Sequence, residues 1–331
     1  MSNICELKKV LEEKINESKQ VILTGHVGAD FDSIASCIAM SEIAKKFKTD
    51  VYILYNDQDI KVEPGVKEMI DSTNSTINYI NCEEYKKIKT GKDLLITLDV
   101  SNKDILPCKD YLNCFQNIIV IDHHTENRHP IESQYNYILK DVSSTAEVMT
   151  NLLISHKINF TKNIANYLLA GIYLDTDKYT KNCSSKTMNT VSKLLDRGAD
   201  IVKVNEFFQT DFESDRKVQD LVSKANFITY SIAICIADEN VIYTKEELAK
   251  VADYLLRFKA DAAFAAGYID DELISISARS KGKVDVSKIM NVMNGGGNIY
   301  SAATKINSKE LNNEGKKLEL LTKPNFYIEE S

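Results

Sequence analysis

What most constrains this chain is a recurrent pattern in which a short apolar run ends abruptly in a carboxylate or an imidazole. Val21 to Thr24 (VILT) runs into Gly25-His26-Val27-Gly28-Ala29-Asp30-Phe31-Asp32-Ser33. Leu94 to Leu98 (LLITL) runs into Asp99, Ile118 to Ile121 (IIVI) into Asp122-His123-His124, and LLAGIYL into Asp175. Runs of this length, separated by helical periodicity at 33–47, 144–154 and 163–175 and joined by a further strand pattern at Val51 to Tyr55, predict parallel β-strands linked by crossover helices. A sheet of that kind presents ligands beyond the carboxyl ends of its strands.

Burying several uncompensated carboxylates at such ends costs several kcal/mol each, so their recurrence calls for a compensating positive charge. A metal cluster would supply it. His26, Asp30, Asp32, Asp99, His123 and Asp175 offer oxygen and imidazole nitrogen without thiolate, enough for two divalent ions. That chemistry suits Mn(II), with Mg(II) or Fe(II) as competitors. Asp and Ser after a strand are also ordinary helix N-caps, so the 25–33 loop alone would not decide the matter. His129 and His156 have no such neighbours and are expected at the surface.

The remaining composition sets bounds. With 331 residues, two domains are expected. A net charge of −7, from 41 basic and 48 acidic residues, argues against a long nucleic acid gripped along its backbone but leaves a small anionic ligand open. The first twenty residues are charged and helix-patterned, unlike a signal peptide, and no run approaches the roughly 18 apolar residues of a membrane span. A cytoplasmic protein without membrane contact is expected. Cysteines at 5, 37, 82, 108, 114, 183 and 235 form no C-x-x-C pair and read as buried free thiols.

The pattern turns helical and charged over 185–224, which predicts a connector. Beyond it, strands are expected at Ile228 to Ala237, Ala260 to Tyr268 and Leu273 to Arg279, and helices at 244–258 and 286–293. The fold class is therefore α/β: a parallel-sheet domain with flanking helices (1–184), a helical connector (185–224) and a smaller mixed α/β domain (225–331). The polar tail after Asn312 is expected to be peripheral.

The motifs GHVGADFDS, TLDVSN, IDHH, Ser143-Ser144-Thr145-Ala146-Glu147 and AGIYLDTDKYT resemble the DHH phosphoesterases, as does SARSKGKVDVSKIMNVMNGGGNIYSAATKI the glycine-rich loop of the DHH-associated domain. The resemblance runs from about Val21 to Ile306. It is closest to the catalytic module of bacterial cyclic-di-AMP phosphodiesterases, near the nanoRNase and pAp-phosphatase branch. It implies that His26 and Asp30 hold one metal, that Asp32, His123 and Asp175 hold the other, and that Asp99 bridges them. His124 would contact phosphate, and Asp122 would orient the histidines or cap its strand. Arg279 is expected to clamp phosphate, with Gly295, Gly296, Gly297 and Asn298 forming the substrate loop. The family usually has histidine where this chain has Asn298, which cannot carry positive charge.

The activity so implied is hydrolysis of cyclic-di-AMP to pApA by a hydroxide held between two ions roughly 3.5 to 4 Å apart. Two alternatives stay open: action on short linear oligonucleotides or pAp, and a silent nucleotide sensor. The expected partners are a cyclic dinucleotide or a short oligonucleotide, and the family often forms homodimers.

Overall fold

The computed structural model describes residues 2–55, 64–124, 129–209, 212–229 and 231–308. The chain forms two compact units, Met1–Gln209 and Thr210–Ser331.

The first unit runs α1 (Ser2–Glu17), β1 (Gln20–Thr24), α2 (Phe31–Lys45), β2 (Asp50–Leu54), α3 (Pro64–Thr73), β3 (Asn78–Ile80), α4 (Cys82–Ile88), β4 (Asp93–Leu98), β5 (Asn117–Asp122), β6 (Tyr135–Ile138), α5 (Thr145–Ser155), α6 (Lys162–Asp175), α7 (Ser185–Asp196) and α8 (Ile201–Phe207). Its sheet is wholly parallel, in the order β3-β2-β1-β4-β5-β6. Every residue of β1 and β4 is buried, which is why both read as unbroken apolar runs rather than alternating ones. The chain builds outward from β1 through β2 to β3, then returns to β4 on the other side of β1. The crevice at that reversal is where a parallel sheet receives ligands. α2 lies directly beside it and is buried around most of its circumference, so it shows almost no polar face.

The second unit runs α9 (Phe212–Ser223), β7 (Asn226–Thr229), β8 (Ile232–Ile236), α10 (Lys245–Leu255), β9 (Ala262–Tyr268), β10 (Leu273–Ser280), α11 (Val286–Val292), β11 (Gly296–Gly297) and β12 (Ser301–Asn307). Its mixed sheet, ordered β11-β12-β10-β9-β8-β7, carries α9 and α10 over one core and α11 over another. The alanines of β9 leave room for α10 to lie close to the sheet.

Several expectations need correcting. The 185–224 stretch is divided between the units: Val191, Leu194, Val204 and Phe207 of α7 and α8 pack into the first core, while Val218 and Leu221 of α9 pack into the second. Each helix has an apolar stripe that must be covered, so none stands free as a connector. The run 228–237 is not one strand; it contains the end of β7 and all of β8, an antiparallel pair. Cys82 and Cys108 form a disulfide, brought together around the Tyr85 cluster across 26 residues that no spacing motif marks. Cys37 and Cys235 are buried thiols as expected, whereas Cys5 is exposed. His156 is buried, not superficial; its ring packs edge-on to Phe47 and lies 3.4 Å from Glu12 Oε1. His129 is exposed and pairs with Asp104. The tail after Asn312 lies outside the described residues.

Candidate metal centre

Three strand ends and one helix end converge at the crevice. The loop after β1 supplies His26 and Asp30, the first turn of α2 supplies Asp32, and the residue after β4 is Asp99. The end of β5 supplies Asp122, followed by His123 and His124. Asp175 comes from the last turn of α6, the helix expected at 163–175, so it reaches the crevice from a helix end although its apolar prefix looks like those of the strand-end residues. A carboxylate at a helix C-terminus faces the negative end of the helix dipole, which makes a nearby cation more valuable still.

The donors form overlapping groups. His26, Asp30 and Asp99 make one, Asp32, Asp99, His123 and Asp175 another, with ligand atoms in each lying within 4.8 Å of one another. His26 Nε2 is 3.7 Å from both Asp30 Oδ2 and Asp99 Oδ2. His123 Nε2 lies 3.0 Å from Asp175 Oδ2, 3.3 Å from Asp99 Oδ1 and 3.9 Å from Asp32 Oδ2. Asp99 is shared by both groups and sits at φ +62°, a left-handed conformation that turns its carboxylate between them.

Two atoms at the centre have no hydrogen-bond partner although both are buried: His123 Nε2 and Asp175 Oδ2. Orphaned polar atoms of this kind cost free energy unless something satisfies them. A divalent cation fits both, and the surrounding donor set of carboxylate oxygens and imidazole nitrogens is that of a hard or borderline metal.

Asp32 is wholly buried and accepts hydrogen bonds from the backbone N–H groups of Thr145 (2.7 Å) and Ala146 (2.6 Å) at the start of α5. Thr145 Oγ1 also donates to Asp99 Oδ1 at 3.1 Å. Thr145 was not singled out from the sequence; its signal was only its place in the Ser143–Glu147 stretch. Asp30 serves both roles weighed for it, capping α2 by accepting from Ser33 N at 3.0 Å while its other oxygen faces His26. Asp122 is buried and accepts from the backbone of His123 and His124, and its Oδ1 lies 2.8 Å from His124 Nδ1. That nitrogen, so engaged, is a poor metal ligand, and the His124 side chain is 56% exposed at the rim.

Electrostatics in the metal-free protein follow from this crowding. Burial pushes Asp32 well up, reinforced by Asp99, Asp175 and Asp30. Asp99 is also raised by burial, against a partial offset from the His123 imidazole beside it. Asp30, only partly buried, is lowered by the His26 imidazole beside it, which outweighs its desolvation. Burial alone would lower the histidines, yet Asp30 and Asp99 carry His26 up to about 9, and Asp175 and Asp99 carry His123 up to about 10. The hydrogen bond with Asp122 raises His124.

Both partly buried histidines are therefore expected to be protonated at pH 7 before metal binds. Metal uptake is expected to release at least about two protons at that pH, and apparent affinity is expected to rise with pH until these imidazoles are already neutral. Calorimetric titration in buffers of differing ionisation enthalpy measures this; uptake with no proton release would remove His26 and His123 from the ligand set.

In the second unit, Arg279 Nε pairs with Asp253 at 3.1 Å, and its Nη1 donates to Ser277 Oγ and the Ala278 carbonyl. Gly297 (φ +142°) and Gly295 are fixed by the β11–β12 hairpin, since a Cβ would stand 2.3 Å from Ser301 O or 2.4 Å from Ala303 O. Gly296 alone faces open space. Asn298 Oδ1 accepts from Tyr300 and Ser301 N–H groups, closing the turn.

Residues 20–172 match the model of the DHH family N-terminal domain, and 226–323 match the DHHA1 domain. The chain belongs to the DHH phosphoesterase family. This DHH protein is 31% identical over 310 residues to the cyclic-di-AMP phosphodiesterase GdpP of Bacillus subtilis, covering 91% of the chain and 47% of that protein. It is 28% identical over 153 residues to the bifunctional oligoribonuclease and PAP phosphatase NrnA of Mycoplasma pneumoniae, covering 45% and 44%. The chain thus spans about half the length of GdpP, and its match to NrnA takes in less than half of either protein. In fold it resembles an exopolyphosphatase-related protein from Bacteroides fragilis, with a TM-score of 0.76 at 19% identity over 97% of the chain and 96% of that one. Among the described residues of this DHH protein, no helix is long and apolar enough to cross a membrane.

Proposed function

We propose that this chain is a Mn(II)-dependent phosphodiesterase that opens cyclic-di-AMP to the linear dinucleotide pApA. The observation that carries the metal chemistry is the buried, unbonded pair His123 Nε2 and Asp175 Oδ2 inside a ring of carboxylates. The similarity to GdpP across both domains favours the cyclic substrate.

In this reading His26 and Asp30 would hold one ion, Asp32, His123 and Asp175 a second, and Asp99 both. Bound divalent ions supply charge neutralisation and a water acidified towards neutrality. The protein's own contribution is positional. Thr145 and Ala146 fix Asp32 through backbone donors, and Thr145 Oγ1 fixes Asp99. Asp122 keeps His124 turned and favours its charged form, leaving its other ring nitrogen to donate to a phosphate oxygen at the rim.

Arg279 would bind a phosphate of the substrate, and Gly296 would let the chain approach it. Arg279→Ala is expected to raise KM by about tenfold with kcat little changed, because the contact is alike in ground and transition states. Steady-state kinetics check this; a loss confined to kcat would contradict it.

The proposal is tested by offering the Mn(II)-loaded protein cyclic-di-AMP, cyclic-di-GMP, pApA, a short RNA and pAp at equal concentration and separating the products. Intact cyclic-di-AMP after hours would end it. Similarity to NrnA favours a second reading in which short linear oligonucleotides or pAp are consumed instead, while Asn298, neutral where the family usually has histidine, bears on turnover and so on the silent-sensor alternative.

A further inference from the structure

A cavity of about 810 Å³ opens in the first unit between α5, α7 and the segment after β6, and none of the six candidate metal ligands lines it. Three lysines do: Lys140, Lys186 and Lys193. Among the described residues no ion pair engages any of them, although the chain is acidic overall. Of the lining carboxylates, Asp141 is exposed. Glu147 Oε2 is already occupied, accepting from Ser143 N, Ser143 Oγ and Thr187 Oγ1. Asn151 is pinned in place, donating to Glu147 O and Thr190 Oγ1 and accepting from Lys193 Nζ at 3.3 Å. Ser185, Asn189 and Thr190 of α7 add polar groups beside the lysines, and Ile4, Ile138, Leu139 and Val142 make an apolar side of the wall.

Like-charged ammonium groups left unpaired around one cavity repel one another and are relieved by a polyanion. An apolar wall beside them suits a flat heterocycle, and the volume suits a ligand of mononucleotide size. We infer that this groove binds a nucleoside di- or triphosphate, its phosphates on Lys140, Lys186 and Lys193 and its base against Ile4, Ile138 and Leu139. The groove also meets the metal centre through one turn: Glu147, which lines it, closes the 143–147 turn whose N–H groups hold Asp32.

The test is titration of the full chain with ADP, inorganic pyrophosphate and adenosine in excess chelator, so that phosphate cannot reach the centre through metal. Saturable binding of ADP and pyrophosphate is expected, with adenosine much weaker. Lys140→Ala with Lys186→Ala, both exposed positions, should weaken ADP by at least about tenfold while the thermal melt stays in place. The corresponding double arginine variant should retain binding, and Arg279→Ala should leave it unchanged. The inference is overturned if ADP fails to saturate in the low millimolar range, if adenosine binds as well as ADP, or if the double alanine variant binds like the parent.

Discussion

Asp99→Asn is expected to leave the fold standing and to take turnover below about one hundredth of the parent value, with binding of both ions weakened. The substitution keeps the size and tolerates the left-handed backbone, since Asn is one of the few residues at ease with positive φ. Alanine would confuse the result by adding backbone strain. What asparagine removes is the negative charge shared by the two donor groups, and an amide oxygen is a far weaker ligand than a carboxylate. Changes to groups that merely orient ligands already cost roughly 10- to 100-fold, so the loss of a shared ligand should exceed that range. Metal titration and steady-state rates on the same preparation decide it. Activity within a few-fold of the parent would mean that Asp99 does not join the two groups.

Gly171→Ala should be nearly as damaging, for a steric reason. A Cβ there would lie 2.9 Å from Asp32 Cα, Asp32 Oδ1 and Ala146 Cβ, in a place where α2, α5 and α6 meet with no free volume. In an ordinary helix interior this exchange would gain up to about 1 kcal/mol of helix propensity. Here overpacking should reverse the sign, costing about 1–3 kcal/mol. Because the atom displaced belongs to a candidate ligand, metal affinity should fall together with stability. Denaturant midpoints measured with and without metal separate the two effects. A stabilised variant with unaltered metal binding would show that Asp32 has room to move.

The strands that carry the centre were legible because β1, β4 and β5 are buried nearly throughout, so their apolar runs are unbroken and the polar residue ending each stands out. The six residues that the structure groups at the crevice stood out because each follows an apolar run or lies close after one. Asp175 was placed correctly within the helix at 163–175, yet its resemblance to the strand-end residues concealed that it reaches the centre from a helix terminus. Thr145 could not be found by pattern, since its role lies in contacts with Asp32 and Asp99, 113 and 46 residues away. The burial of His156 depends on α1 and Phe47 closing over it, and the Cys82–Cys108 pairing on two turns meeting at one face of the sheet. Amphipathic helices between domains look alike whichever core they join, so 185–224 read as one segment.

The support of Asp32 by main-chain donors has a consequence for how this protein tolerates change. Exchanges among small residues, such as Thr145→Ser or Ala146→Gly, leave both amides in place, although the packing of Ala146 against Gly171 bars anything larger. A mutational scan would therefore report the packing and the hydroxyl at these positions and miss what their amides contribute. The anchorage would pass intact through exchanges among small residues and be lost when a proline or an insertion shifts the start of α5. Recognising it in a diverged homologue would require the path of the chain, because no residue identity records it.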